Sequence, residues 1–254
     1  QWNNTVNVGL DHDYSYKRGN GRINLHMRTT GPGSDYDYSQ LSLSVVNYNR
    51  LGKFNFNTRF FAQIGTGTNL APESALYLAG ANPESLMDNK FTRSVGFFPQ
   101  DWNGYGATTN HFQYGGGLNL RGYAGYLAPY KRADGTSVLT YKSNSGVAVN
   151  AELEFDRLFP IRPRITRNWL KINSYLFADA GFIQSNLSNE KMAFASPRAD
   201  AGLGLAFTIK KWGPLSMEKP LTFRLDMPFF LSRTPDLSPD YVQYRWLVGV
   251  NRAF

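Results

Sequence analysis

Arg121 is the residue whose setting most invites chemistry. It stands in Gly115–Tyr126, GGGLNLRGYAGY, within a connection running from 65 to about 145. Connections longer than about 12–15 residues without secondary structure of their own are uncommon, and are functional or disordered where they occur. The glycine and aromatic content predicts order here, in contrast to the Ser/Glu/Lys/Pro mixture of disorder. A guanidinium keeps its charge and presents a planar fork of donors, so its natural chemistry is bidentate pairing with a carboxylate. Gly122 beside it lets the backbone approach a wall closely. The plainer alternative is a solvated loop cation. Reactive groupings are missing: there is no His-Glu-x-x-His, Gly-x-Ser-x-Gly or phosphate-loop motif. His12, His26 and His111 are far apart in sequence and read as structural or loop residues, and the chain has no cysteine. No catalytic residue, metal or cofactor is expected.

The segments that must position partners for Arg121 alternate with a period of two. Val147, Val149, Ala151, Leu153 and Phe155 face one way, and Glu152 and Glu154 the other. Asp179 lies opposite Leu176, Ala178 and Ala180. Successive side chains on a strand point to opposite faces, so these acids share a polar face. The same alternation runs through Val6-Val8-Leu10, Ile23-Leu25-Met27, Leu41-Leu43-Val45 and Phe54-Phe56-Phe60. It returns in Leu203-Leu205-Phe207, in Leu221 to Phe229, and in Tyr244-Trp246-Val248-Val250 against Arg245, Gly249 and Asn251. Turn chemistry separates the segments, as at Gly19-Asn20-Gly21, Gly31-Pro32-Gly33 and Asn49–Gly52. The reading is all-β, with about nine strands of roughly 8–12 residues, close to what a tilted strand needs to cross a bilayer. No internal repeat or linker divides residues 1–254.

Composition narrows the classes. No apolar run reaches the length of a membrane-spanning helix, and the mean hydropathy is -0.40. A membrane barrel remains open, because its strands show lipid only every second residue. The formal charge of +8 is scattered among acids with no dense basic run, so nucleic-acid binding is not expected. Gln1 opens without a charged n-region or apolar h-region, so an export signal is expected to have been removed or to lie upstream.

Alternation alone leaves two architectures open: a soluble sandwich with its apolar faces buried, and a membrane barrel with those faces outward. Uninterrupted apolar faces favour the barrel. So do the aromatics near strand ends (Trp102, Tyr123, Tyr126, Trp169, Trp212, Phe229, Phe230, Tyr241 and Tyr244), where interfacial girdles sit.

Four segments resemble the barrel of the BamA/TamA superfamily of outer-membrane insertion and translocation proteins. Leu120-Arg121-Gly122-Tyr123, after Gly115-Gly116-Gly117, is similar to the signature of the family's large sixth extracellular loop. Leu153-Glu154-Phe155 resembles the strand that follows, and Phe177-Ala178-Asp179-Ala180-Gly181 the next strand's Phe-x-Asp-x-Gly motif. Trp246, Gly249 and Phe254 resemble the C-terminal assembly signal. Arg252 departs from that signal, which has an apolar residue there, and would have to snorkel to the interface.

The resemblance implies an antiparallel transmembrane β-barrel in the outer membrane of a Gram-negative bacterium. This chain would be its partial, C-terminal portion, the family barrel having sixteen strands. Missing N-terminal strands or a companion chain would complete it, and outer-membrane lipids and client or complex proteins would be its partners. It further implies that the loop at about 65–145 folds into the lumen, where Arg121 would meet Glu152, Glu154 or Asp179. The implied activity is insertion or translocation of proteins. An alternative is a barrel anchoring an upstream periplasmic enzyme, for example a zinc peptidase. Arg162, Arg164 and Arg167 form a basic turn, expected on the periplasmic side, that would touch lipid phosphates or a partner domain, or simply be solvated.

Overall fold

The computed structural model describes residues 1–88, 106, 110–131, 135–158, 161, 163–185, 193–233 and 241–254. Phe97-Phe98-Pro99, Trp102 and Arg162 lie outside them, as does the side chain of Trp212.

Nine strands form one antiparallel sheet in which chain neighbours are spatial neighbours. They are β1 (Thr5–Tyr16), β2 (Gly19–Thr30), β3 (Asp37–Leu51), β4 (Phe54–Asn69), β5 (Gly146–Glu154), β6 (Leu170–Ile183), β7 (Arg198–Trp212), β8 (Leu215–Leu231) and β9 (Leu247–Val250). β1 and β9 do not pair with each other, so the sheet is not closed. Two-residue turns join β1 to β2, β3 to β4 and β7 to β8. These turns, the connection 155–169 and the C-terminus share the turn end of the sheet. The long connection 70–145 leaves from the other end, yet β4 and β5 still pair directly, from Asn55↔Glu154 to Gln63↔Gly146. Because β4 continues to Asn69, this connection starts a few residues later than the alternation predicts.

The two faces of the sheet reverse the usual arrangement. Val6, Val8 and Leu10 of β1, Met27 of β2, Leu41 of β3 and Ile64 of β4 are all exposed, Val8 at 63%. Val149 and Leu176 continue that bare apolar face across β5 and β6. The opposite face is polar; it is exposed on β1 and much of β2 and buried from β4 to β8, with Arg59, Asn150, Glu152, Asp179, Arg224 and Asp226. No second sheet packs on the apolar face among the described residues, so this is not a sandwich. A buried charge costs several kcal/mol unless it is paired. Whatever covers the polar face must therefore bring partners.

The cover is the described part of the long connection. Its Leu76–Tyr77 pairs with Lys142–Ser143, and Pro129–Lys131 with Ser137–Leu139; Pro83–Asp88 forms a short helix. Leu78, Leu118, Leu120 and Tyr123 make an apolar cluster with Ile183, Leu231 and Leu247 of the sheet. Burying such a side chain fully is worth roughly 1.5–3 kcal/mol, so the loop adheres by packing as well as by charge. Tyr123 and Tyr126 thus depart from the girdle expected of them. Tyr123 is fully buried in this cluster, and Tyr126 lies under the Arg245 guanidinium at 4.3 Å. Trp169, Phe230, Tyr241 and Tyr244 are exposed.

The last strand is shorter than its alternation predicts. Only Leu247–Val250 join the ladder, pairing Phe223↔Val250 to Asp226↔Leu247. Asn251 then adopts φ 66°, and its N–H bonds to the Thr222 carbonyl at 2.8 Å. This left-handed step turns the chain, so Arg252 points inward and does not snorkel.

Candidate functional site

The site is built where the loop meets β5 and β6. The pleat sets the inward residues: Asn150, Glu152 and Glu154 on β5, and Tyr175, Phe177 and Asp179 on β6. In register, Phe177 stands beside Glu152 and Asp179 beside Asn150. On the loop, Arg121–Tyr123 form one 3-10 turn held by Tyr123 N–H to Leu120 O (3.1 Å) and Ala124 N–H to Arg121 O (3.1 Å). That turn aims the arginine at the sheet.

Arg121 is completely buried, and each of its three guanidinium nitrogens donates. Nε donates to Asp179 Oδ2 at 2.8 Å and Nη2 to Asp179 Oδ1 at 2.9 Å, while Nη1 donates to Glu152 Oε1 at 2.7 Å. Its backbone N–H adds a bond to Asp179 Oδ2 at 3.3 Å. The guanidinium carbon lies 4.0 Å from the centre of the Phe177 ring, which supplies cation–π attraction on the face that has no oxygen. Burial opposes the charge, but Asp179 and then Glu152 outweigh it and hold the Arg121 pKa above its ordinary value. The solvated-cation alternative does not describe this residue.

Asn150 and Arg59 extend the seat. Asn150 Nδ2 donates to Asp179 Oδ1 at 3.0 Å and to Asn119 O at 3.2 Å. Arg59 on β4 donates to Asn150 Oδ1 at 3.0 Å and to Gly117 O at 2.9 Å. Gly117 has φ 54°, and a Cβ there would meet the Tyr77 and Gly80 carbonyl oxygens at 2.6 and 2.7 Å. Gly122 is equally constrained, since a Cβ would lie 2.7 Å from that of Asp200.

Glu154 is not a partner of Arg121. Two residues nearer the turn end, it accepts Arg252 Nη2 at 2.7 Å and Asn55 Nδ2 at 2.9 Å. Arg252 also donates to Glu152 Oε2 at 2.6 Å, so Glu152 bridges two arginines. The Glu152 and Glu154 charges hold the Arg252 pKa above its ordinary value against the effect of burial.

Of the proposed assembly-signal residues, Gly249 is buried beside Arg224, where a Cβ would lie 2.4 Å from Nε. Arg224 pairs with Asp226 and Gln113. Trp246 stacks on His111 at 3.8 Å between ring centres. Phe254 lines a cavity of about 680 Å³ at the turn end, with Lys17, Arg18 and Arg50. Arg164 and Arg167 are exposed on the connection 155–169, far along the chain from the Arg121 seat.

Several residues of the site carry weak sequence signals. Arg59, Arg224 and Arg245 were visible only as polar members of alternating segments. Arg245 donates to three loop carbonyls, those of Gly122 (2.7 Å), Ala124 (2.7 Å) and Asn110 (3.0 Å), and burial lowers its pKa. Asp200 sits directly across from Asp179, buried, and neither of its carboxyl oxygens has a hydrogen-bond partner among the described residues.

The loop also reaches the sheet's edge. Phe112 forms a parallel bridge with Val248, through Gln113 N–H to Val248 O (2.9 Å) and Val248 N–H to His111 O (2.6 Å). Chemically, the arrangement holds the loop to the sheet: Arg121 and both of its acids are engaged with one another. Among the described residues, no three His, Asp or Glu side chains gather as a metal site requires. Searches against protein-family models and against curated proteins return no match to this chain.

Proposed function

We propose that this chain is the C-terminal part of an outer-membrane β-barrel similar to the BamA/TamA superfamily, acting in insertion or translocation of proteins at that membrane. The observation that carries the reading is the contact between two separately resembling segments. Arg121 of the Leu-Arg-Gly-Tyr stretch lies on Phe177 and Asp179 of the Phe-x-Asp-x-Gly stretch. The bare apolar face and buried polar face agree with a sheet whose outer side meets lipid. Such a sheet would be completed by strands pairing with β1, from the same protein or from a companion chain.

The packed interior favours one second reading. A loop fastened this firmly across the polar face is equally suited to a barrel that anchors a periplasmic enzyme domain and conducts nothing.

Fractionation and gel mobility of the full-length protein test the first reading. It should sediment with outer membranes, need detergent for release, and migrate faster unheated than boiled. Depletion should lower the outer-membrane content of other barrel proteins. Release by salt or alkali alone would refute the barrel. A depletion that leaves other barrels unchanged would favour the anchor.

A further inference from the structure

The charge of +8 is not spread evenly over the folded chain. Lys17 and Arg18 form the β1–β2 turn, with Lys53 in the β3–β4 turn and Arg50 just before it. A bond from Arg50 N–H to Arg18 O (2.8 Å) holds the two tips side by side. Across the same end lie Arg157, Arg164 and Arg167, then Lys171, Lys210 and Lys211, all exposed. The described acids near this end, Glu154 and Asp156, are buried, and Glu154 is committed to Arg252. Among the described side chains the turn end is therefore a basic rim in which cations outnumber acids, Asp156 lying beside Arg167, Lys171 and Lys210.

The connection 155–169 adds a second feature. Beside its arginines stand Leu158, Ile161, Ile165 and Trp169, all exposed, Ile165 at 91%. An acidic protein partner or free phosphate gives no reason for bare isoleucines among arginines. A bilayer interface does, since it takes apolar side chains below the phosphate plane and cations at it. On the outer face at the same end, His12, Tyr14 and Tyr16 stack in a row at 6.5 and 6.2 Å, at the level where interfacial aromatics belong.

Resting on the barrel reading above, we infer that the turn-end rim is a docking surface for anionic phospholipid headgroups, and that the described part of the 155–169 connection dips into that leaflet through Ile161 and Ile165. The cations gather anionic lipid around this end of the sheet. The isoleucines set the depth.

The test is lipid selectivity of the full-length protein in phosphatidylcholine bilayers doped with spin-labelled phosphatidylglycerol or spin-labelled phosphatidylcholine. The expected result is a preference for phosphatidylglycerol of about fivefold or more, the factor one basic residue near an anionic surface can supply. It should shrink in high salt and in the combined variant Arg157→Gln, Arg164→Gln, Arg167→Gln. Unchanged heat-modifiable mobility would show that this variant still folds. Ile165→Cys carrying an environment-sensitive dye should shift its emission to the blue on reconstitution. Insertion without lipid preference, or a preference untouched by the three substitutions, overturns the inference and leaves the barrel standing. An unshifted dye overturns the dipping connection. Salt-sensitive binding of polyglutamate without lipid preference would assign the rim to an acidic protein instead. Failure to insert at all removes the barrel reading and this inference with it.

Discussion

Arg121 and Asp179, 58 positions apart, meet through two near-parallel N–H···O bonds of 2.8 and 2.9 Å in a fully buried setting. Breaking a buried pair leaves the other charge stranded, at a cost of about 3–5 kcal/mol. Arg121→Ala should therefore expose the loop to protease at concentrations the parent resists. Arg121→Lys keeps the charge without the fork, and should recover only part of the protection. Equal protection in all three proteins would dismiss the lock.

Gly122 admits no side chain without moving Asp200. Gly122→Ala should destabilise the seat by about 1–3 kcal/mol, the range for overpacking. The obstacle is the Asp200 Cβ, 2.7 Å from the added carbon. Asp200→Gly should therefore rescue Gly122→Ala, while Asp200→Ala should not. Additive effects in a double-mutant cycle by thermal unfolding would contradict this contact.

Asp200 confronts Asp179 across the β6–β7 ladder. Two buried carboxyls this close cannot both ionise without cost, and an unsatisfied buried polar group costs about 1–3 kcal/mol. Asp200→Asn keeps nearly the same shape without an ionisable group and should raise the unfolding temperature. A fall would mean that the carboxylate has a stabilising partner.

Tyr123 sets an alkaline limit. Burial is the main cause of its raised pKa; its hydroxyl donates to Arg233 O at 2.9 Å and accepts Arg233 N–H at 3.1 Å. A group with a raised folded pKa contributes stability that is complete below its unfolded pKa and lost as pH rises through the folded one. With an ordinary value of 10.0, the loop should keep its full Tyr123 contribution up to about pH 10 and lose protection above it. Tyr123→Phe should start about 1 kcal/mol weaker, from the lost hydrogen bond, and show a shallower alkaline decline. Parallel declines in protease protection would acquit Tyr123.

Parity made much of this legible. A period of two put Glu152 and Asp179 on one face and left Arg121 as the loop cation able to meet them. Parity does not report height along a strand or the course of the chain beyond it. Glu154 shares the face of Glu152, but its position nearer the turn end gives it to Arg252. That pairing depends on the left-handed step at Asn251, a single backbone angle with no apolar pattern to announce it. Asp200 belongs to β7 but precedes the apolar alternation that reveals this strand. Tyr123 and Tyr126 looked interfacial because aromatic composition is the same at a membrane surface and in a packed loop.

The bridge between Phe112 and Val248 makes the two edges of the sheet unequal. β1 presents a twelve-residue edge with no neighbour beyond it among the described residues, whereas β9 already has a strand-like segment against part of its outer side. In the vocabulary of polymers, the sheet resembles a primer with one blocked terminus. Strands can be added at β1, one after another, while addition at β9 must first displace the chain's own loop. Growth in one direction has a defined start, because an open edge of unpaired N–H and C=O groups is a template for a further strand and a covered one is not.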